Sequence, residues 1–256
     1  VPTRQELGKI LGSTKGGLFP FLEMLTLDFV MWDDDFMGDQ MKYDATAPGT
    51  YQSTASGTGS ATAALVAGTV NGIVRLDTGT DDGGRSDLSL GRHFRGDLGC
   101  GIAVRVVTDV ITSYKLEVGF TDVVSGTDAG AVNVLGTPSW NATDAVVWCI
   151  DTNNDANYRG LGVAAGTGSS VIAPSIAPVA ATYEWLIIQV DDSRAQFTRL
   201  NAAGRQTYQS TWLTGAVTAT VLLTPWVFAQ TRTGSARKLV DIDRLVAWQR
   251  RTDIDE

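Results

Sequence analysis

Turn-forming clusters interrupt this chain so often that no crossover helix fits between its apolar runs. TGTDDGG at 78–84, GTDAG at 126–130, DTNND at 151–155 and NAAG at 201–204 are built from Gly, Asp and Asn. Those residues accept positive φ or hydrogen-bond their own backbone. Between them lie short runs of alternating apolar residues: GIVRLDT (72–78), GIAVRVVT (101–108), YKLEVGF (114–120), AVVWCID (145–151), YEWLIIQV (183–190) and PWVFAQT (225–231). A period of two places neighbouring side chains on opposite faces of a strand. In YKLEVGF, Tyr114, Leu116, Val118 and Phe120 share one face while Lys115 and Glu117 take the other. That pattern predicts a strand with one face in the core and one in water. A parallel pair would need a crossover of about a dozen residues or more. The expected fold is therefore all-β, two antiparallel sheets stacked as a jelly-roll sandwich. Composition agrees, with 28 glycines and only five glutamates in 256 residues, so helix-forming material is scarce.

Two stretches specify the sandwich further. WLIIQVDDSRAQFTRL (185–200) reads as a hairpin in which Leu186, Ile188 and Val190 face the core, Asp191, Asp192 and Ser193 turn the chain, and Phe197 returns inward. KLVDIDRLVAWQ (238–249) reads as a last strand with Val240 and Ile242 inward. Strict alternation would then bury Arg244, which predicts a bulge near Asp243 and Arg244 or a paired arginine. Residues 1–31 differ in character: RQELGKIL, then GSTKGG, then the apolar LFPFLEMLTLDFVMW. They form either a first strand or an arm with an interface role, since exposed apolar segments mark interfaces. Residues 32–256 form the sandwich.

The residues that carry chemistry are few. The net charge of −8 disfavours a phosphate backbone, so no nucleic-acid partner is expected. No window reaches the ~18 apolar residues of a membrane span, and VPTRQELGKILGSTKGG lacks a signal-peptide core, so no membrane partner is expected either. His93, the one histidine, sits in GRHFRGD without a GxSxG elbow. One His and two separated Cys leave no zinc set, and Cys100 and Cys149 read as buried free thiols. Asp151, Asn153 and Asp155 copy the opening of a calcium loop, but Ala156 and Gly162 stand where that loop needs Gly and Glu. Gly160, Gly162 and Ala165 mimic a dinucleotide fingerprint with no βαβ unit around them. A sandwich glycosidase of the laminarinase kind alternates acids on one strand face, whereas Glu117 is followed on its own face by Gly119 and Thr121. No catalytic residue, metal or cofactor is expected. Trp140 in TPSWNAT and Tyr158 in NDANYRG are candidate glycan contacts, because aromatic rings in turns can stack on sugars.

Read in order, WDDDFMGD (32–39), GIVRLDTGTDDGGRSDLSL (72–90), YKLEVGFTDV (114–123), AVVWCIDTNND (145–155), YEWLIIQV (183–190), LLTPWVFAQTRT (222–233) and DIDRLVAWQRR (241–251) resemble a family of tailed-phage virion proteins with concanavalin A-like or laminin-G-like jelly rolls. The resemblance covers about residues 32–251. It implies a non-enzymatic structural role, most simply capsid decoration or cementing on the outer surface of the virion, after synthesis in the host cytoplasm. The expected partners are the major capsid protein and sister copies in a homotrimer. On that reading Leu18, Phe19, Phe21, Leu22 and Met24 form the gripping interface. The alternative is a receptor- or glycan-binding domain of a tail or head fibre.

Overall fold

Alternation and frequent turns produce strands almost throughout the computed structural model, which describes residues 29–36, 51–57, 59–69, 72–123 and 130–251. In chain order these are β1 (Phe29–Asp34), β2 (Ala55–Ser56), β3 (Thr62–Leu65), β4 (Val74–Asp77), β5 (Arg85–Ser89), β6 (Gly101–Thr108), β7 (Tyr114–Thr121), β8 (Val132–Val134) and β9 (Ser139–Trp140). Then follow β10 (Ala145–Asp151), β11 (Asp155–Ala164), β12 (Thr167–Gly168), β13 (Glu184–Asp191), β14 (Arg194–Asn201), β15 (Gln206–Gln209), β16 (Thr224–Thr231) and β17 (Leu239–Arg250). One sheet runs β15-β14-β13-β6-β17-β4-β3, with β1 also paired to β17; the other runs β12-β11-β10-β7-β16-β5-β2; β8 and β9 form a separate hairpin. Every named strand pair is antiparallel.

The space between the sheets holds the main core, including Leu76, Leu88, Ile102, Val104, Leu116, Val118, Phe120, Trp148, Leu186, Ile188, Phe197 and Val227. Trp148 sits at its centre. Its ring meets Tyr158, Phe197 and Tyr208 edge-on, and its indole N–H donates to the Ile187 carbonyl of the opposite sheet at 3.1 Å. The 185–200 hairpin forms as expected: Asp191 pairs with Arg194 across a two-residue turn, and Asp192 takes φ 59 there. In β17 both alternatives at Arg244 occur together. The register shifts between Ile242 and Arg244, and the Arg244 guanidinium then meets Asp33 in a bidentate pair at 2.8 and 2.6 Å. The bulge lets Val240 and Ile242 before it, and Leu245 and Ala247 after it, all face the core.

The glycines of the false dinucleotide fingerprint are packing devices. A Cβ on Gly160 would lie 2.9 Å from the Phe197 ring, and one on Gly162 would lie 2.5 Å from the Ala216 carbonyl oxygen. The two cysteines are free, buried thiols in different clusters, Cys100 in the main core and Cys149 outside it. Burial pushes the Cys100 thiol up to about 12.

The half-solvated reading of β7 is wrong: all eight of its residues are buried. The reason is a third layer. Ala131, Val132, Leu135 and Ala142 pack on Ala145, Val147, Cys149, Leu161 and Val163, so the segment from 130 to 143 forms a strap across the outer side of the seven-stranded sheet. A second outer cluster of Ala103, Trp185, Ile187, Leu200, Val246 and Trp248 lies on the far side of the eight-stranded sheet.

Gly162→Ala tests the close approach. The added methyl meets main chain rather than a movable side chain, so the variant should lose about 1–3 kcal/mol of unfolding free energy in urea titration, at unchanged cooperativity.

Candidate functional site

The outer face of the seven-stranded sheet carries a row of acids and aromatic rings. By register, Asp87 of β5, Phe228 of β16 and Glu117 of β7 stand in one row across three neighbouring strands. Two interstrand steps of about 4.8 Å separate the acids, roughly 10 Å at the main chain. Paired carboxyl groups work in glycoside hydrolysis at about 5–9.5 Å from each other, so the surroundings of each acid decide what the row can do.

Glu117 is fully committed. Its Oε1 lies 2.8 Å from the Lys115 ammonium, and both side chains are completely buried. Oε2 accepts from the Ala131 amide at 2.7 Å and from the Trp226 indole at 3.1 Å, and Oε1 also accepts from the Val132 amide at 3.0 Å. Lys115 in turn donates to the Val132 carbonyl and lies 5.6 Å from the Phe228 ring centroid. A β-strand puts residues i and i+2 on one face, and here that rule pairs a lysine with a glutamate beneath the strap. Gly130 allows the strap to come this close, since a Cβ there would lie 2.6 Å from a Glu117 oxygen. The Trp226 and Phe228 rings stack at 5.8 Å with planes 8° apart. Phe228 stands in the row between the two acids, with Trp226 two residues away on the same strand.

Asp87 is a different case. Its Oδ1 accepts from the Thr54 amide at 3.2 Å, while its Oδ2 is buried with no hydrogen-bond partner. Burial pushes its carboxyl up to about 7, against the smaller opposing effects of the Thr54 bond and the Arg85 charge. Burial thus favours the protonated form of Asp87, and across the row Glu117 is already paired.

The residues singled out from sequence separate. Tyr158 is not a surface contact: it is 1% exposed and donates to Glu184 at 2.7 Å inside the sandwich. Edge-on contact with Trp148 of the neighbouring strand β10 places it in the core, which the turn-rich sequence before it hid. Trp140 is half-buried on β9 against the strap cluster, and its buried indole nitrogen has no acceptor. His93 is exposed on a loop, where its amide and carbonyl make main-chain and Gln249 bonds. Asp151 is a buried turn acid held by Arg232 at 3.0 Å and by the Asn153 and Asn154 groups. Among the described residues no group of three acids, histidines or cysteines converges as a metal site. Leu18, Phe19, Phe21, Leu22 and Met24 lie outside the described residues.

Sequence reading missed Trp212. It is 37% exposed, and the Arg194 guanidinium lies 4.9 Å over its ring while pairing with Asp191 at 2.6 Å. A tryptophan in the short, mostly polar stretch QSTWLTG was the available signal.

This fold is the concanavalin A-like sandwich. The chain superposes on a Shewanella oneidensis MR-1 protein of unknown function with a TM-score of 0.62 at 16% identity, covering 94% of this chain and 100% of that one. Peanut lectin gives 0.56 at 9% identity over 88% and 99% of the two chains. A β-1,3-1,4-glucanase from a mouse hindgut metagenome gives 0.55 at 10% over 86% and 99%. No family model matches the chain, and no curated protein matches it in sequence. The fold is one that lectins and glucanases share.

Two variants test the row. Removing one partner of a buried pair strands the other charge, so Glu117→Ala should cost about 3–5 kcal/mol, and the Lys115→Met, Glu117→Leu double variant should recover much of it in chemical denaturation. For Asp87, folding raises the pKa, so its contribution is full below about pH 4 and is lost as pH climbs to about 7. Asp87→Asn should therefore flatten the fall in unfolding free energy between about pH 5 and about pH 7.5 by on the order of 2 kcal/mol.

Proposed function

We propose that this chain is a non-catalytic recognition module that binds a saccharide at its surface, as part of a phage virion appendage. The observation that carries the reading is the state of Glu117. A retaining or inverting glycosidase needs two carboxylates that can reach the sugar. Glu117 is tied to Lys115, two strap amides and an indole, and Phe228 stands between it and Asp87. The face that would carry hydrolysis is spent on packing. Recognition then belongs to edges and loops, on a fold that a lectin shares.

The corner at the β13–β14 turn supplies suitable groups. Trp212 offers an exposed apolar ring, and Arg194 and Asp191 offer charged donors and acceptors beside it. The nearby Gln196 and Gln209 amides, bonded to each other at 3.3 Å, add further polar contacts. A sugar presents a C–H face and a rim of hydroxyls, which such a mixed surface matches. The virion setting rests on the ordered segments that resemble tailed-phage proteins. Those same segments support a second reading, a decoration protein on the major capsid protein, and copy number in purified particles separates the two: a few copies for an appendage, stoichiometric copies for the shell.

On a glycan array the wild-type protein should give a specific saccharide signal that Trp212→Ala weakens about tenfold or more at an unchanged melting temperature. Silence across the array removes the saccharide reading. Release of reducing ends from any bound glycan would remove the non-catalytic one.

A further inference from the structure

Strand register continues the Trp212 corner across the outer face of the eight-stranded sheet. Gln196 of β14, Gln189 of β13, Gly101 of β6 and Trp248 of β17 stand side by side. Two residues further along the strands Arg194 pairs with Asp191, the Val190 amide donates to the Cys100 carbonyl at 2.8 Å, and the row runs on through Gly99 to Arg250. Alternation puts both rows on the side of Trp185, Ile187 and Trp248, away from the sandwich core. Three interstrand steps, about 14 Å at the main chain, separate Arg194 from Arg250. The two glycines let the side chains of β17 lean across β6 toward the corner. A Cβ on Gly101 would come within 2.2 Å of the Trp248 ring, and one on Gly99 would lie 3.5 Å from Arg250 Nε.

The loop before β6 adds cations at the same end. The Gln249 side chain donates to the His93 carbonyl at 2.9 Å and accepts from the Arg95 amide at 3.1 Å, which ties this loop to the end of β17. The β13–β14 turn is tied in as well, since the Asp192 amide donates to the Gly96 carbonyl at 2.9 Å. Two of the arginines gathered here are neutralised locally, Arg194 by Asp191 and Arg95 by Asp97. Asp192 is the remaining acid of the two turns. Arg92, Arg250 and Arg251 are exposed, and no carboxylate among the described residues pairs with them. A guanidinium laid across main chain holds its fork of donors in place, so it meets an oxyanion at a small cost in side-chain freedom.

We propose that the saccharide taken at the Trp212 corner is an acidic oligosaccharide whose carboxylate or sulfate group sits on Arg250. The proposal rests on the saccharide reading above and narrows it to a substrate class. At the corner Arg194 is already committed to Asp191, so that end offers the Trp212 ring and a neutral set of donors and acceptors, suited to a sugar ring and its hydroxyls. The uncommitted charge lies across the sheet on Arg250. The span between the two is too long for one sugar ring, so an oligomer stacks one unit on Trp212 and presents its acidic unit to the guanidinium. The net charge of −8 opposes long-range attraction of any polyanion. Selectivity for acid therefore comes from contact with Arg250 and not from the field of the whole chain.

The full-length chain on an array of uronate-bearing, sialylated, sulfated and neutral oligosaccharides tests this. Signals should fall on acidic glycans and fade when the same glycans are carboxyl-reduced or desulfated, which also tells the two anions apart. Arg250→Gln should weaken them about tenfold or more at an unchanged melting temperature, and Arg250→Lys, which keeps the charge and loses the fork, should fall between. Arg205→Gln, which removes an exposed arginine at the other end of β14, should leave them unchanged. Signals on neutral glycans that Trp212→Ala weakens and Arg250→Gln spares overturn the acidic assignment alone and leave the saccharide reading standing. Equal losses from Arg250→Gln and Arg205→Gln overturn it too, because diffuse charge would then be responsible. Silence across the array removes both.

Discussion

One buried ion pair sets where the third layer of this fold sits. Lys115 and Glu117 occupy successive outward positions of β7, the central strand of a sheet whose outer face would otherwise meet water. Left solvated, they would make that face an ordinary polar surface. Instead Glu117 collects two strap amides and an indole, and Lys115 takes a strap carbonyl. The pair thereby supplies the polar contacts that a strap crossing an apolar sheet needs for its own main chain. Such a pair contributes little net stability by itself. Its value is in fixing where the strap sits, and so in covering the outer face of that sheet.

The strands, the antiparallel pairing and the sandwich were legible from alternation and turn chemistry, because those depend on nearest neighbours along the chain. The bulge at Asp243–Arg244 was legible for the same reason: a charge in an inward slot forces either a shift or a partner, and Asp33 plus a register shift supply both. The third layer was not legible. Lys115 and Glu117 follow strict alternation, and nothing local distinguishes a lysine in water from one beneath a strap. The signal present was weak, two opposite charges two residues apart on one face of an otherwise apolar strand.

Site residues were harder still, since exposure is a property of the whole assembly of sheets. Tyr158 stands in a polar sequence yet lies in the core because β11 brings it beside Trp148. Trp212 stands in an equally polar stretch and remains outside. The glycines at 160 and 162 show the reverse error that motifs invite: their spacing imitates a nucleotide loop, but their function is to admit Phe197 and the Ala216 main chain.

Strand β17 carries a further consequence. Its first half pairs with β4, its second half with β1, and its whole length with β6. Phe29 therefore waits for Arg250, so the strand that emerges last from the ribosome among those described unites segments made near the start. Until it arrives, β4, β6 and β1 present open edges that invite foreign pairing. A nascent chain stalled before residue 239 would hold most of its core residues and none of the central seam, and its survival would depend on how soon a chaperone or the remaining sequence reached those edges.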